Sequence, residues 1–155
     1  QDSQLETMQR RYPSAGGICE LEFYVGVNEC AGLYRSLFHY DGEQHVLRQL
    51  PATEKDLTTL FSNAASAWGQ DYPPQLLIVL ASRFGRIAWK YEKLAYRLTL
   101  IDCGVIIQTM YLVATAMNLA PCALGYGDSD LFSRLAGLDP LTESSIAEFA
   151  LSSLV

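Results

Sequence analysis

The fold depends most on residues 98–119, which read LTLIDCGVIIQTMYLVATAMNL. This segment is apolar except at a few scattered positions, namely Thr99, Asp102, Gln108, Thr109, Thr115 and Asn118. Its length and spacing are typical of a helix, and a helix with apolar side chains on nearly every face is buried in a core or belongs to an interface. We therefore predict a long core helix over 98–119 as the central element.

Two strands and a second helix are predicted upstream of it. Residues 18–27 are rich in aromatic and β-branched side chains and read as a strand. Residues 75–82 form a continuous apolar run, which is typical of a buried central strand. Between them, residues 53–69 have the apolar spacing of a helix, and Thr53 is placed to cap its first turn.

The remaining elements are shorter. A hairpin is predicted over residues 37–50, because Asp41-Gly42 supplies the chemistry of a tight turn. Downstream of the core helix we predict a strand over 122–126, a short helix that Asp128 caps, and a final strand over 146–154. Strand and helix patterns do not alternate strictly, so the sequence predicts one α+β domain over all 155 residues.

The composition excludes several classes of function. The net charge of −6 and the scattered basic residues argue against a nucleic-acid surface, which needs clustered Lys and Arg. We see no run of about 18 apolar residues for a membrane span. Four cysteines without metal-ligand or disulfide spacing favour the reducing cytoplasm.

A loop of small residues, Pro13-Ser14-Ala15-Gly16-Gly17, stands directly before the first predicted strand. Glycines let backbone N–H groups approach a planar or anionic ligand, because no Cβ intervenes. The same residues are also typical of an ordinary tight turn. The loop is therefore a candidate ligand contact, and the sequence alone leaves the choice open.

Lys90 and Tyr91 lie between the buried strand and the core helix. A lysine and a tyrosine at such a junction could move a proton together, since desolvation lowers the pKa of a lysine and a phenol both donates and accepts. Adjacent side chains point about 100° apart in a regular helix, so the pair converges only where the backbone is irregular. A solvated lysine beside a half-buried aromatic ring is the alternative interpretation.

Two polar residues interrupt the core helix at positions that need an explanation. Asp102 and Gln108 are predicted to hydrogen-bond to the backbone or to a ligand, because buried polar groups need partners. No Ser-His-Asp order, carboxylate pair or GxGxxG motif is present. Any redox chemistry would therefore come from a bound cofactor.

These motifs, in this order, resemble the azoline-dehydrogenase branch of the nitroreductase superfamily, which includes the SagB-type, microcin-type and cyanobactin oxidases. The resemblance covers residues 8 to 155 and rests on ordered segments rather than on one specific motif. The matching residues are Arg10 to Gly17, Leu37 to Asp41 with His45-Val46-Leu47, Lys90-Tyr91 with Tyr96-Arg97, Asp102, Gly104, Gln108, Tyr111, Leu112, Ala114, Leu119, Cys122, Gly125 and Asp128.

The resemblance implies an α+β fold with a mixed or antiparallel central sheet, a homodimer, and one FMN at each subunit interface. It assigns catalysis to Lys90 and Tyr91. The reaction it implies oxidises a thiazoline or oxazoline ring of a peptide or carrier-bound substrate to a thiazole or oxazole, as in peptide natural product biosynthesis. The residues it implies for cofactor binding are Arg10, Arg11, Pro13, Ser14, Ala15, Gly16, Gln108, Leu124 and Gly125.

Two features depart from that branch. Its members carry an arginine between the Lys-Tyr and Tyr-Arg pairs, where this chain has Leu94. Its members also have an N-terminal helix with an arginine-rich segment that grips the FMN phosphate, and nothing before residue 8 resembles it. We expect either a fragment of a longer protein, or a partner chain that supplies this segment, or a chain that has lost FMN.

Three functions therefore stay open. The first is an FMN-dependent azoline dehydrogenase. The second is a general nitroreductase or other flavin oxidoreductase that uses NAD(P)H. The third is a flavin-free scaffold subunit of a heterocycle-forming complex. The Lys-Tyr pair favours the first, because reduction of simple acceptors needs no base for a substrate proton.

Overall fold

A computed structural model describes residues 10–154, in which six strands and four α-helices are defined. In chain order these elements are β1 (Leu21–Val27), β2 (Ser36–Asp41), β3 (Val46–Gln49), α1 (Glu54–Trp68), β4 (Leu76–Ser82), α2 (Gly85–Tyr91), α3 (Ala95–Ala116), β5 (Leu119–Leu124), α4 (Ser129–Ala136) and β6 (Ser144–Ser153). A 3-10 turn over Ala15–Gly17 precedes β1, and another over Glu92–Leu94 joins α2 to α3.

The six strands form a single sheet in the order β3-β2-β1-β4-β6-β5. Every strand pair in the described part of the chain is antiparallel. Of the two sheet types expected, mixed or antiparallel, the structure has the antiparallel one. The predicted apolar strand is β4, and it lies between β1 and β6 at the centre of the sheet. Its long apolar run is explained by helices on both faces.

Each face of the sheet carries its own apolar core. On one face, α1 and α4 pack on the sheet through side chains that include Phe61 and Phe132. On the other face, α3 packs through Cys103 and Ile106 against Leu21 and Leu80. The molecule is therefore a three-layer α+β domain with α3 alone as the long helix of its layer.

Most predicted elements are confirmed, and the capping residues explain why. The side chain of Thr53 accepts a hydrogen bond from the Asp56 N–H at the start of α1, and α1 ends at Gly69 in the left-handed conformation. Asp128 caps α4 in the same way, through the Leu131 N–H. A side-chain cap of this kind contributes about 1 kcal/mol.

Three boundaries differ from the sequence prediction. β1 begins at Leu21 rather than residue 18, because Cys19 takes a left-handed backbone conformation (φ 54°) that interrupts an extended chain. The core helix spans Ala95–Ala116, and β5 begins at Leu119 rather than residue 122. The short helix α2 was not predicted, since its seven residues are too few to show an apolar period.

Of the two alternatives for the core helix, burial on nearly every side does not hold in the single chain, and an interface helix stays a prediction. Only one side of α3 packs on the sheet, and the other side is exposed and apolar. The exposed apolar side chains of this α3 surface are Leu100, Ile101 and Leu112, and Val113 and the C-cap residue Met117 are exposed at the C-terminal end of the helix. The helical stretch Gly85–Ala116 comprises α2, the 3-10 turn and α3, and by length and composition it is apolar enough to cross a membrane. The sequence alone did not indicate such a span, because isolated polar residues interrupt the apolar run. A helix that packs against a sheet passes the same test.

Candidate active site

The predicted site residues gather at one end of the sheet. The register pairs Leu21, where β1 begins, with Ser82, where β4 ends. It also pairs Ser82 with Ser144, where β6 begins, and β5 ends nearby opposite Glu148. The loop before β1, the helix after β4 and the glycines after β5 therefore all leave the sheet at this end.

The small-residue loop contacts both predicted catalytic residues. Gly16 has φ 60°, a left-handed conformation that favours glycine. A Cβ at this position would lie 2.5 Å from the Tyr91 hydroxyl and 2.9 Å from Lys90 Nζ, too close for either atom. The backbone at position 16 therefore favours glycine, and a Cβ there would make the Tyr91 hydroxyl and Lys90 Nζ shift.

Lys90 and Tyr91 are the last two residues of α2, where the backbone leaves the regular helix. Tyr91 has φ −108°, and Glu92 follows with φ 46° and ψ −115°. Lys90 Nζ lies 5.3 Å from the centre of the Tyr91 ring. The irregular backbone that convergence requires is therefore present.

Lys90 is not buried in the single chain. Its side chain is exposed, whereas Tyr91 is half-buried. The expectation of a desolvated lysine is not met by these residues alone, because Lys90 stays exposed although its Nζ lies near Gly16. Desolvation of Lys90 would have to come from a bound ligand or from a second subunit.

Asp102 on α3 holds the loop in place. Its Oδ2 accepts a hydrogen bond of 2.7 Å from the Ala15 N–H, and the side chain is 5% exposed. Glu20 is fully buried beside it, with its carboxyl close to that of Asp102. Burial and the nearby charge of Asp102 raise the pKa of Glu20, so this pair favours a protonated Glu20.

The two predicted phosphate contacts have different environments. Arg10 is half-buried, and its Nη1 donates to the Leu21 carbonyl (2.7 Å) and to the Tyr12 hydroxyl (2.5 Å). Arg11 is exposed and makes no hydrogen bond within the described residues. Arg10 therefore joins the loop to β1, and of the two arginines only Arg11 has a guanidinium without a hydrogen-bond partner among residues 10–154.

The other predicted cofactor residues are not all in one place. Pro13 is exposed and Ser14 is half-buried next to Cys19. Gln108 is exposed on α3, about 9 Å further along the helix axis than Asp102. Leu124 is buried at the end of β5, and Gly125 is exposed just after it.

A flat ligand such as the ring of FMN could meet the backbone at the glycines of this end of the sheet. Gly17 and Gly125 have open space where a side chain would be, and Gly16 presents the Lys90 and Tyr91 side chains. This arrangement fits the ring of a flavin. For the phosphate, the described residues of the loop offer Arg11 alone, which is less than the arginine-rich segment expected for this branch.

An ion-pair network that sequence inspection missed fixes the same end of the sheet. Arg86 Nη1 lies 2.7 Å from Glu22 Oε1, and His39 Nε2 lies 3.0 Å from the other Glu22 oxygen. Arg83 Nε donates to Glu143 at 2.6 Å. Burial alone would raise the pKa of Glu22, but His39 and the two arginines lower it on balance. Four separate segments contribute, so no local spacing could have revealed the network.

No group of three potential metal ligands occurs among residues 10–154. The site therefore consists of a loop that a flat ligand can approach, a Lys-Tyr pair against its glycine, and a buried acid that holds the loop. Such a site can orient a substrate and move a proton, and a bound cofactor would have to accept or donate the electrons.

Comparison with known proteins places the chain in a family. The sequence profile of the Nitroreductase family matches residues 2–150. A relative from Methanocaldococcus jannaschii, named for nitroreductase activity, is 24% identical over 113 residues, which are 73% of this chain and 56% of the relative. The chain thus spans little more than half of that protein.

Solved structures show the same fold. A nitroreductase-type crystal structure from Anabaena variabilis has a TM-score of 0.79 and 29% identity, over 94% of this chain and 29% of the other. The microcin synthetase McbBCD complex of Escherichia coli, with truncated pro-MccB17 bound, has a TM-score of 0.80 and 19% identity, over 97% of this chain and 57% of the other. An NAD(P)H:FMN oxidoreductase-type structure from Staphylococcus epidermidis has a TM-score of 0.58 and 8% identity, over 92% of this chain and 70% of the other. The fold and the length of the profile match together show that this chain belongs to the nitroreductase family.

Proposed function

We propose that this chain forms the catalytic part of an FMN-dependent dehydrogenase that oxidises thiazoline or oxazoline rings in a peptide or carrier-bound substrate. Membership of the nitroreductase family establishes the coarser class, an oxidoreductase. The proposal adds the cofactor, the direction of the reaction and the substrate.

The contact between Gly16 and the Lys90-Tyr91 pair carries the proposal. Aromatisation of an azoline ring removes a proton from one ring carbon and a hydride equivalent from its neighbour. A base must therefore be held next to the electron acceptor, and two proton-transfer side chains lie directly against a loop that a flat ligand can approach. A reductase of simple acceptors has no use for that base.

Within this proposal each residue has a stated role. When bound, FMN supplies the two-electron acceptor. The backbone of Ala15 and Gly16 borders its ring, and Asp102 holds that backbone through the Ala15 N–H. Lys90 takes the substrate proton or passes it to Tyr91, whose hydroxyl orients the lysine. Arg11 is the candidate phosphate contact among the described residues.

The named neighbours support the finer parts of the proposal in different ways. Proteins of the nitroreductase family generally bind flavin, and one neighbour is named as an FMN oxidoreductase. The microcin synthetase complex contains a peptide substrate precursor and more than one kind of subunit. A peptide substrate and a partner chain that completes the FMN site would fit that precedent.

We also propose that the protein is a homodimer that pairs through the α3 surface. Ile101 and Leu112 are 49% and 64% exposed there, which is unusual for large apolar side chains on one helix face. Gln108 lies on the same face, so a second subunit would bring it into a buried environment. Cys30, Cys103 and Cys122 carry free thiols, which fits the cytoplasm as the compartment.

The test uses the full protein with added FMN and a thiazoline-containing peptide in air. We expect the peptide to lose two hydrogens, measured by mass spectrometry, and to gain the absorbance of a thiazole. An unchanged peptide together with rapid NAD(P)H-dependent reduction of a nitroaromatic would instead identify a general reductase. Failure to bind FMN at all would identify a scaffold subunit.

A further inference from the structure

A buried carboxyl group lies outside the machinery described above. Glu148 on β6 is 4% exposed, and its carboxyl makes no hydrogen bond or ion pair within residues 10–154. It pairs in register with Leu124 on β5, so both side chains point to the face of the sheet that carries α1 and α4. Asp102 and α3 lie on the opposite face, so Glu148 belongs to a separate environment.

Glu148 lines a small cavity beside the first turn of α4. The cavity has a volume of about 170 Å³, below the roughly 300–1,000 Å³ of pockets that hold drug-sized ligands. Its polar lining includes Ser129, Ser145 and the backbone from Gly125 to Gly127. A Cβ on Gly127 would lie 2.5 Å from Glu148 Oε1, so glycine at position 127 leaves space for the carboxyl group of Glu148.

The charge that acts on Glu148 in this cavity is that of another acid. Burial, together with the charge of Asp128, raises the pKa of Glu148 to about 7. Asp128 faces it from the start of α4, and the exposed Tyr126 forms part of the rim. Its strand neighbours, Val79 and Leu124, are apolar. No cation of the described chain reaches the carboxyl, so a charged Glu148 has nothing to balance it.

We propose that this cavity is a binding site for an organic ammonium or guanidinium group, with Glu148 as the ion-pair partner. A cation is the one kind of group that removes the cost of ionising a buried carboxyl beside a second carboxylate. The serine hydroxyls and backbone carbonyls at the rim accept its remaining N–H groups. The volume admits one such head group with a short alkyl stem.

A lysine or arginine side chain of a peptide and a free small amine share this chemistry. The cavity opens at the end of the sheet that also carries Lys90, on the other face, which suits a basic side chain of an extended peptide. The cavity borders Leu124 and Gly125, which are proposed flavin contacts, but Glu148 itself is assigned neither to FMN nor to azoline oxidation.

The test measures binding to the full protein by calorimetry at pH 8 in an amine-free buffer. The probes are n-butylammonium and methylguanidinium, with n-butanol and acetate as neutral and anionic controls. We expect the two cations to bind and the controls to bind at least tenfold more weakly. Because Glu148 must be ionised, binding at pH 6 should be about tenfold weaker than at pH 8.

Two substitutions locate the binding. Glu148→Gln keeps the shape of the side chain and should weaken both cations at least tenfold. Asp130→Asn removes one negative charge from an exposed position on the same turn of α4 and should leave binding unchanged. Equal binding of butanol and butylammonium, or unchanged binding in Glu148→Gln, would overturn the proposal.

A second pair of ligands, a lysine peptide and its norleucine counterpart, shows whether the bound cation belongs to a peptide or to a free amine. If the site reads a peptide, acetyl-Gly-Lys-Gly-amide should bind at least tenfold more tightly than n-butylammonium, and its norleucine counterpart should not bind. Equal affinity for the lysine peptide and the free amine would assign the site to small amines. Either result requires the Glu148→Gln loss, and neither requires turnover of an azoline.

Discussion

The Tyr91 hydroxyl lies against the backbone of Gly16, in a space that a single methyl group at residue 16 would fill. Lys90 Nζ borders the same space. Gly16 comes from a loop and Tyr91 from the end of a helix that follows a different strand, so the contact depends on the whole sheet end being formed. The site is therefore a product of tertiary structure, with its chemistry set by two adjacent residues.

Gly16→Ala should damage the site more than the fold. The added Cβ would displace both the Tyr91 hydroxyl and Lys90 Nζ, and a non-glycine residue at φ 60° costs roughly 1–2 kcal/mol. We expect azoline turnover to fall at least tenfold, measured as thiazole formed per enzyme.

Gly32→Ala is the matched control for that substitution. Gly32 lies in an exposed turn outside the site, with φ 84° and nothing within 4 Å of the place where its Cβ would be. It should therefore lose a similar amount of stability, measured by denaturant unfolding, but keep most of its turnover. Equal turnover losses in the two variants would mean that backbone strain alone, and not displacement of the pair, explains the effect.

The role of Asp102 can be separated from its charge. In Asp102→Asn a side-chain oxygen can still accept the Ala15 N–H, so we expect a mild loss of FMN affinity. Asp102→Ala leaves that buried N–H without a partner, at a cost of about 1–3 kcal/mol, and should weaken FMN much more. Fluorescence titration of FMN gives both values. Identical affinities for the two variants would remove Asp102 from the support of the loop.

The sequence was sufficient to predict much of the fold because the relevant signals are local. The cap at Thr53, the turn at Asp41-Gly42 and the apolar run of β4 each act within a few residues. The ends of α3 were misplaced by three residues because Met117 and Leu119 continue its apolar pattern although the helix stops at Ala116. An apolar residue serves a helix or a following strand equally well.

The site was less predictable because its contacts are long-range. Lys90 and Tyr91 could be selected as a pair, but their contact with Gly16 joins two segments that only the sheet register brings together. Glu148 gave no signal at all, since one acid in a strand is unremarkable until its burial is known. The Glu22 network was hidden for the same reason.

The α3 surface predicts how the dimer can be broken. Leu112→Glu places a charge in the centre of the exposed apolar face and should convert the dimer to a monomer, measured by sedimentation velocity. Leu141→Glu is the control, because Leu141 is 93% exposed in a turn away from α3. A wild-type protein that sediments as a monomer with FMN bound would contradict pairing through this surface.

Glu148 should make stability depend on pH. Its pKa is raised on folding, so its contribution is fully present below about pH 4.5, the ordinary value, and is lost as the pH rises to about 7. Across that window wild type should lose up to about 3 kcal/mol relative to Glu148→Gln, which stays neutral. Urea unfolding of both proteins in an amine-free buffer gives the difference. A constant difference between them from pH 4.5 to 8 would show that Glu148 does not titrate on folding.

The central claim is that Lys90 and Tyr91 remove the substrate proton beside a bound flavin. Its most direct test is the anaerobic rate at which a thiazoline peptide bleaches the flavin absorbance of Lys90→Ala, compared with wild type and Tyr91→Phe. The account predicts that Lys90→Ala binds FMN normally and is bleached at least about 100-fold more slowly. Bleaching of Lys90→Ala at the wild-type rate would contradict it.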